Sequence, residues 1–263
     1  MKIACFSVAA LDFFPQQNEH FAGGNSLNQA VRFRQLGHET AFIGPLGTDA
    51  AGERIFDLLQ RRGVDLTGLY RLDGSTASNR IVNDERGERF GVEGAWQNGV
   101  YADYLLSQAD WALLGACDVW ATHVNGPNFA EALRRKPADK FMAVDFLHLR
   151  EYAVLEQHPG AIDIAYFGGT SDMADELLRL SRETASLLVL TLGAEGSIAF
   201  RGGMSYPQPA LPLDKVLDTT GCGDAFQAGF TSEYLKGGDI PAALLAGAEL
   251  GRLAASSFGG VPW

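Results

Sequence analysis

Short apolar runs recur along the chain: "KIACFSVAA", "ETAFIGPLG", "DVWATHV", "FMAVDF", "IDIAYFGG" and "LLVLTLG". Gly, Pro or charged residues bound each one, so they read as buried strands. Helical patterns lie between them. In 25–36, Leu27, Ala30 and Val31 share a face, and Gly37 stands where a C-cap belongs. In 52–62, Ile55, Leu58 and Leu59 do the same, and Gly63 follows. Alternating strand and helix predicts an α/β fold whose mostly parallel sheet is covered on both faces.

Two segments break the rhythm. One is "FFPQQNEHFAGG" (13–24). The other is 69–95, where apolar and polar residues alternate around the turn signals of "NDERGE". Both predict antiparallel strands with one wet face, built out from the core as a small sheet. The boundaries expected for this excursion are about 11–22 and 69–97, within one domain spanning 1–263. Its role is a lid over a site, a surface flap or a dimer interface.

Composition excludes several functions. The net charge is −11 and no stretch concentrates Lys and Arg, which disfavours nucleic-acid binding. No run of about 18 apolar residues predicts a membrane span, and "MKIACFSVAALDFFP" reads as a first strand, not a leader. Cys5, Cys117 and Cys222 are far apart and form no CxxC, which fits buried thiols in a reducing cytoplasm. No GxxxxGK[ST], HExxH or GxSxG occurs, and the histidines lack i,i+4 spacing.

What remains is "DTTGCGDAF" (218–226). Downstream of it, "AFQAGFTSEYLKGG" is amphipathic and ends at Gly237 and Gly238, so Gly221, Cys222 and Gly223 sit at a helix mouth. Such a mouth binds anions through its N–H groups and dipole. Asp224 would repel a phosphate there. A carboxylate beside an anion hole makes sense if it takes a proton from a hydroxyl attacking phosphorus. The plain alternative is an acid in a first helical turn, favoured by the dipole. The nonapeptide alone supports both.

A second motif, "GGNSLNQAVRFRQLG" (23–37), opens another helix. Gly23 and Gly24 let a ligand approach the backbone, and the Asn28 amide both donates and accepts, as sugar hydroxyls require. Alone it would be a glycine turn with an Asn near a cap. Asp12, leaving an apolar strand, is a third candidate, because a buried carboxylate is costly unless paired or liganded.

Together the two motifs resemble the ribokinase-like (PfkB) carbohydrate kinases. "DTTGCGDAF" looks like that family's C-terminal signature, with Cys222 where Ala is usual. "FIGPLGTDAAGERIFDLLQRRGVDLTGL" and "VLTLGAEGS" also resemble its stretches in order. The resemblance implies a ribokinase-like three-layer α/β/α core with a β-lid, often dimeric through that lid. It implies transfer of phosphate from ATP with Mg2+ to a sugar-like hydroxyl. Asp224 would then be the catalytic base, and Gly221, Cys222 and Gly223 the anion hole. Asp12, Gly23, Gly24 and Asn28 would hold substrate. Thr191, Gly193 and Gly196 would lie along the nucleotide. Asp218 and the Thr220 carbonyl would match a K+ site. Where the family commonly shows N-x-x-E, "FGGTSDMADE" offers Ser171, Asp172 and Glu176 at other spacings, so how Mg2+ is held stays open.

Within the family, the "GGN" start and the 90–103 run most resemble the branch that phosphorylates the C6 hydroxyl of fructosamines. A kinase of another sugar or a nucleoside is the alternative reading. A catalytically silent sugar-binding protein is a third.

Overall fold

A computed structural model describes residues 1–262. The large sheet uses β1 (Lys2–Phe6), β4 (Glu39–Gly47), β5 (Asp65–Leu72), β8 (Val119–His123), β9 (Phe141–Asp145), β10 (Ile164–Gly168), β11 (Leu187–Thr191), β12 (Ser197–Arg201) and β13 (Met204–Gln208). Its order is β13-β12-β11-β10-β9-β8-β1-β4-β5. From β11 through β5 every neighbouring pair is parallel, while β12 and β13 run antiparallel at one edge.

Helices cover both faces: α1 (Asn25–Gln35), α2 (Ala50–Arg61), α3 (Gln108–Gly115), α4 (Phe129–Arg135), α5 (Ala153–Gln157), α6 (Ala174–Leu180), α7 (Cys222–Gly237) and α8 (Ile240–Ala254). The two-residue period of a strand assigns the faces. Ile3 and Cys5 of β1 meet Leu27, Val31, Ile55 and Leu59 from α1 and α2. Ala4 and Phe6 meet Leu114, Phe129, Leu155 and Leu177 from α3 to α6. On β10, Ile164 and Tyr166 face Phe230 and Leu244 of α7 and α8, and Ala165 and Phe167 face the other way. Each such fully buried Leu, Ile or Phe contributes about 1.5–3 kcal/mol. The three-layer α/β/α fold agrees with the expectation. So do α1 and α2, whose predicted apolar faces are buried.

The second sheet is smaller. It joins β2 (Ala10–Phe14), β3 (Glu19–Gly23), β6 (Ala77–Asn83) and β7 (Arg89–Gly91) in the order β3-β2-β6-β7. Two details differ from expectation. Residues 69–72 belong to β5, because the long β4 needs a partner along its C-terminal half, where Gly44 pairs with Leu69 and Gly47 with Leu72. The excursion therefore begins after β5. The β2–β6 pair is also parallel, not antiparallel. The chain leaves this sheet at β3 and returns only after α1, β4, α2 and β5, a crossover connection of the kind that parallel pairing requires. The hairpins β2–β3 and β6–β7 are antiparallel, as expected.

Cys5 and Cys117 are buried free thiols, and Cys222 is half-buried. No helix among the described residues is long and apolar enough to cross a membrane.

Candidate active site

Parallel strands place all their C-terminal ends on one side, and α/β folds bind ligands in the crevice there. A cavity of about 670 Å³ occupies that position. Its walls include His123 at the end of β8, Asp145 at the end of β9, Gly168 at the end of β10 and Thr191 at the end of β11. The mouths of α1 and α7 supply Gly24, Asn25, Asn28, Gly221, Gly223 and Asp224. The small sheet supplies Asp12, Asn79, Ile81 and Arg89. Elements far apart in sequence thus converge on one space.

Asp224 is gripped from α1. Asn28 Nδ2 donates to its Oδ2 at 2.7 Å, and Asn25 Nδ2 donates to its Oδ1 at 2.9 Å. The same Asn25 nitrogen donates to Asp145 Oδ2 at 2.6 Å. Burial pushes the Asp224 carboxyl up to about 7, and the neighbouring Asp145 adds to the rise; Asn28, Arg89 and Arg32 oppose it. Asp145 is also pushed up by burial. A carboxylate held in place with a proton affinity near neutrality is suited to general-base work. Asn28, expected on a substrate hydroxyl, donates to Asp224 through its amide nitrogen while still lining the cavity.

Gly221 caps α7 in the left-handed region at φ 74°, and Gly223 lines the cavity beside it. Cys222 differs from the expectation for an anion hole. Its N–H is directed at Thr219 O at 3.2 Å, its Sγ lies by Asp218 O, and it does not line the cavity. Gly221 and Gly223 are the loop glycines left facing the space. Burial pushes the Cys222 thiol up to about 12, so it is inert at neutral pH.

Asp12 lines the cavity from β2 and is only 6% exposed. Burial pushes it up to about 6 against the pull of Arg89. Gly23 is not in the wall. It gives Asp12 room, since a Cβ there would lie 2.0 Å from Asp12 Oδ2. Arg89 is exposed, with its charge felt by Asp12, Asp145 and Asp224.

The β6–β7 hairpin is docked on the α7 loop. Thr219 N donates to Gly87 O at 3.0 Å, Arg89 N to Thr219 Oγ1 at 2.9 Å, and Asn83 Nδ2 to Asp218 Oδ1 at 2.8 Å. Asp218 is fully buried and accepts also from Thr220 N, Thr220 Oγ1 and Gly259 N.

On the expected nucleotide side, Thr191 reaches the cavity. Gly193 and Gly196 belong to the turn after β11 and are not in its wall; a Cβ on Gly196 would meet Gln208 O at 2.2 Å. Asp172 pairs with Arg150 and Thr170 on the surface, outside the cavity. Among the described residues no group of three or more His, Cys, Asp or Glu is placed to hold a metal.

Sequence reasoning passed over Asn25, Asp145 and a trio in which Ser7 Oγ bonds both Tyr101 OH and His123 Nε2. Asp145 carried a usable signal, the acid that ends the apolar run "FMAVD". Asn25 stood inside the quoted glycine motif. The trio had none, since its members lie on three separate segments.

The model of the pfkB family carbohydrate kinases matches residues 14–262. Fructoselysine 6-kinase of Escherichia coli (strain K12) is 31% identical over 242 residues, covering 90% of this chain and 90% of that protein. Fructosamine kinase FrlD of Bacillus subtilis (strain 168) is 27% identical, covering 98% and 92%. Among solved structures, Arabidopsis thaliana ribokinase complexed with ribose and ATP superposes with a TM-score of 0.81 at 20% identity, over 99% of this chain and 95% of that one. That last likeness speaks for the fold, and the first two for the chemistry. A family match over nearly the whole chain makes this chain a carbohydrate kinase of the pfkB family.

Proposed function

We propose that the chain phosphorylates the C6 hydroxyl of a fructosamine, a fructose carrying an amino acid, with ATP as donor. The observation that carries the chemistry is Asp224, oriented by Asn25 and Asn28 beside the glycine mouth of α7. Asp224 takes the hydroxyl proton. The C6 oxygen bonds to the γ-phosphorus as the bond from phosphorus to the bridging oxygen breaks, and ADP leaves. The helix mouth at Gly221 and Gly223 stabilises the charge on the transferring group. Thr191 lies on the nucleotide side, with Gly193 and Gly196 shaping the turn behind it.

Substrate is held by Asp12 and the backbone at Gly24, and the small sheet closes over it as a lid. Likeness to the two fructosamine-acting relatives supports the acceptor class. So does Arg89, an exposed guanidinium at the cavity that suits an amino-acid carboxylate.

The donor set fits a divalent ion brought in with the ATP phosphates better than a protein-built cage. Mg2+ is usually bound in that way, and the described residues offer no cluster of three ligands. That ion neutralises charge developing on the phosphates. Asp218 fits K+. It is a buried carboxylate with no Lys, Arg or His ion pair among the described residues, its negative charge held by hydrogen bonds from Asn83, Thr220 and Gly259. The Thr220 carbonyl would complete the cation's contacts. A homodimer through the lid and a cytoplasmic location complete the proposal.

Initial rates with fructoselysine, fructose–asparagine, fructose, ribose and a nucleoside test it. A site built for the amino-acid groups discriminates strongly against sugars that lack them. A plain sugar or nucleoside turning over as well as either fructosamine overturns the acceptor. Full activity in EDTA overturns the divalent ion, and equal rates in Na+ and K+ overturn the monovalent one. A monomeric mass at assay concentration overturns the dimer.

A further inference from the structure

Asp145 ends β9 and Asp224 opens α7, yet the two carboxylates share one amide. Asn25 Nδ2 donates to Asp145 Oδ2 at 2.6 Å and to Asp224 Oδ1 at 2.9 Å. An amide nitrogen carries two protons, so both bonds form together and its donor capacity is spent. Each carboxylate has a second anchor. Asn28 Nδ2 holds Asp224 Oδ2, and Leu147 N donates to Asp145 Oδ1 at 2.7 Å. Asp145 is 6% exposed. Neither acid has an ion pair among the described residues.

Two carboxylates this close and this dry resist being ionised together, which raises the affinity of the pair for a proton. An ordinary Asp is a poor base at neutral pH, and catalysis improves as a base's pKa nears the working pH. We infer that Asp145 and Asn25 are positioning residues for the phosphotransfer: Asp145 strengthens Asp224 as a base, and Asn25 sets the spacing at which it does so. The inference rests on the reading that Asp224 takes the acceptor's proton.

Other groups face Asp224 from every side. Arg32 on α1 and Arg89 on β7 oppose the effect of Asp145. Cys5 on β1 and Cys222 on α7 are thiols pushed up by burial and stay neutral. His123 on β8 is held down at about 4 by burial and is also neutral in the assay range. Asp12 on β2 and His148 after β9 line the same cavity.

The test is the pH profile of kcat/KM for wild type, Asp145→Asn and Asn25→Ala. Removing the Asp145 charge shifts the acidic limb down by about one pH unit, a tenfold change in proton affinity. Removing the Asn25 amide takes a hydrogen bond from both carboxylates and shifts the limb up. A merely structural role would not move the limb in opposite directions. Carboxylate 13C titration of the same proteins, with the Asp224 signal assigned by its loss in Asp224→Asn, reads the coupling without turnover. A limb and an Asp224 titration unmoved in Asp145→Asn, or moved the same way in both variants, overturn the inference. Should Asp145→Asn fail to fold, an Asn25→Ala titration at or below wild type overturns it alone. If wild type phosphorylates none of the sugars, the acceptor reading fails, and the carboxylate titrations still decide the coupling.

Discussion

Asn83 in the small sheet donates to Asp218 at the root of the α7 loop, 2.8 Å away, across 135 residues of chain. This bond ties the small sheet to the loop at the mouth of α7, and both line the cavity. Two further bonds between Gly87, Arg89 and Thr219 lie beside it. The hairpin therefore rests directly on the loop.

Asn83→Ala should loosen that closure. A hydrogen bond to a charged group contributes about 1.5–3 kcal/mol, and the hairpin's remaining bonds to the loop all converge on Thr219. Hydrogen exchange across 77–91 should speed up and KM for the sugar should rise several-fold. Exchange and KM equal to wild type would show that the hairpin does not act as a latched lid.

Asp224→Asn should keep the fold and the sugar affinity while kcat falls about 10²-fold or more, the range of a general-base contribution. Calorimetric binding of the sugar and single-turnover rates separate the two effects. A kcat within a few-fold of wild type would assign the base elsewhere.

Stability should depend on pH in an unusual direction. Asp224 rises to about 7 and Asp12 to about 6 in the fold, against about 4 in an unfolded chain. Between pH 4 and 7 the folded chain thus binds protons that the unfolded chain has released, so these two acids make stability fall as pH rises through that window. Denaturant unfolding of wild type and Asp224→Asn from pH 5 to 8 measures the Asp224 share. The variant's curve should be flatter, and parallel curves would contradict the raised affinity.

The strands and first helices were legible because burial dictates their pattern. Runs such as "ETAFIGPLG" coincide with β4 residue for residue. Asp224 stood out as a candidate because it sits at a glycine-bearing helix mouth, but the nonapeptide alone left two readings open, and only its resemblance to a family signature chose between them. The parallel β2–β6 pairing was not, because strand partners are chosen by crossover geometry that local alternation does not encode. Nor was the spent N–H of Cys222, which depends on how Thr219 turns into α7. Asn25 and Asp145 became a pair only when α1 and β9 met across 120 residues.

Gly260 provides a test of positioning from outside the cavity wall. The C-terminal segment returns to pack behind α1, where Arg32 Nη2 donates to Gly260 O at 3.0 Å. A Cβ on Gly260 would lie 2.3 Å from Asn28 Nδ2 and 2.4 Å from Asn28 Oδ1. That contact is too short to keep. The Asn28 amide must therefore move, and it is this amide that fixes Asp224 Oδ2. A displacement of about 1 Å in a catalytic group can cost 10²-fold in rate. Gly260→Ala should lower kcat more than tenfold and leave KM for ATP near wild type. A crystal structure of the variant should show Asn28 turned away from Asp224. A folded variant with kcat within twofold of wild type would mean that Asp224 does not need Asn28 to be held in line.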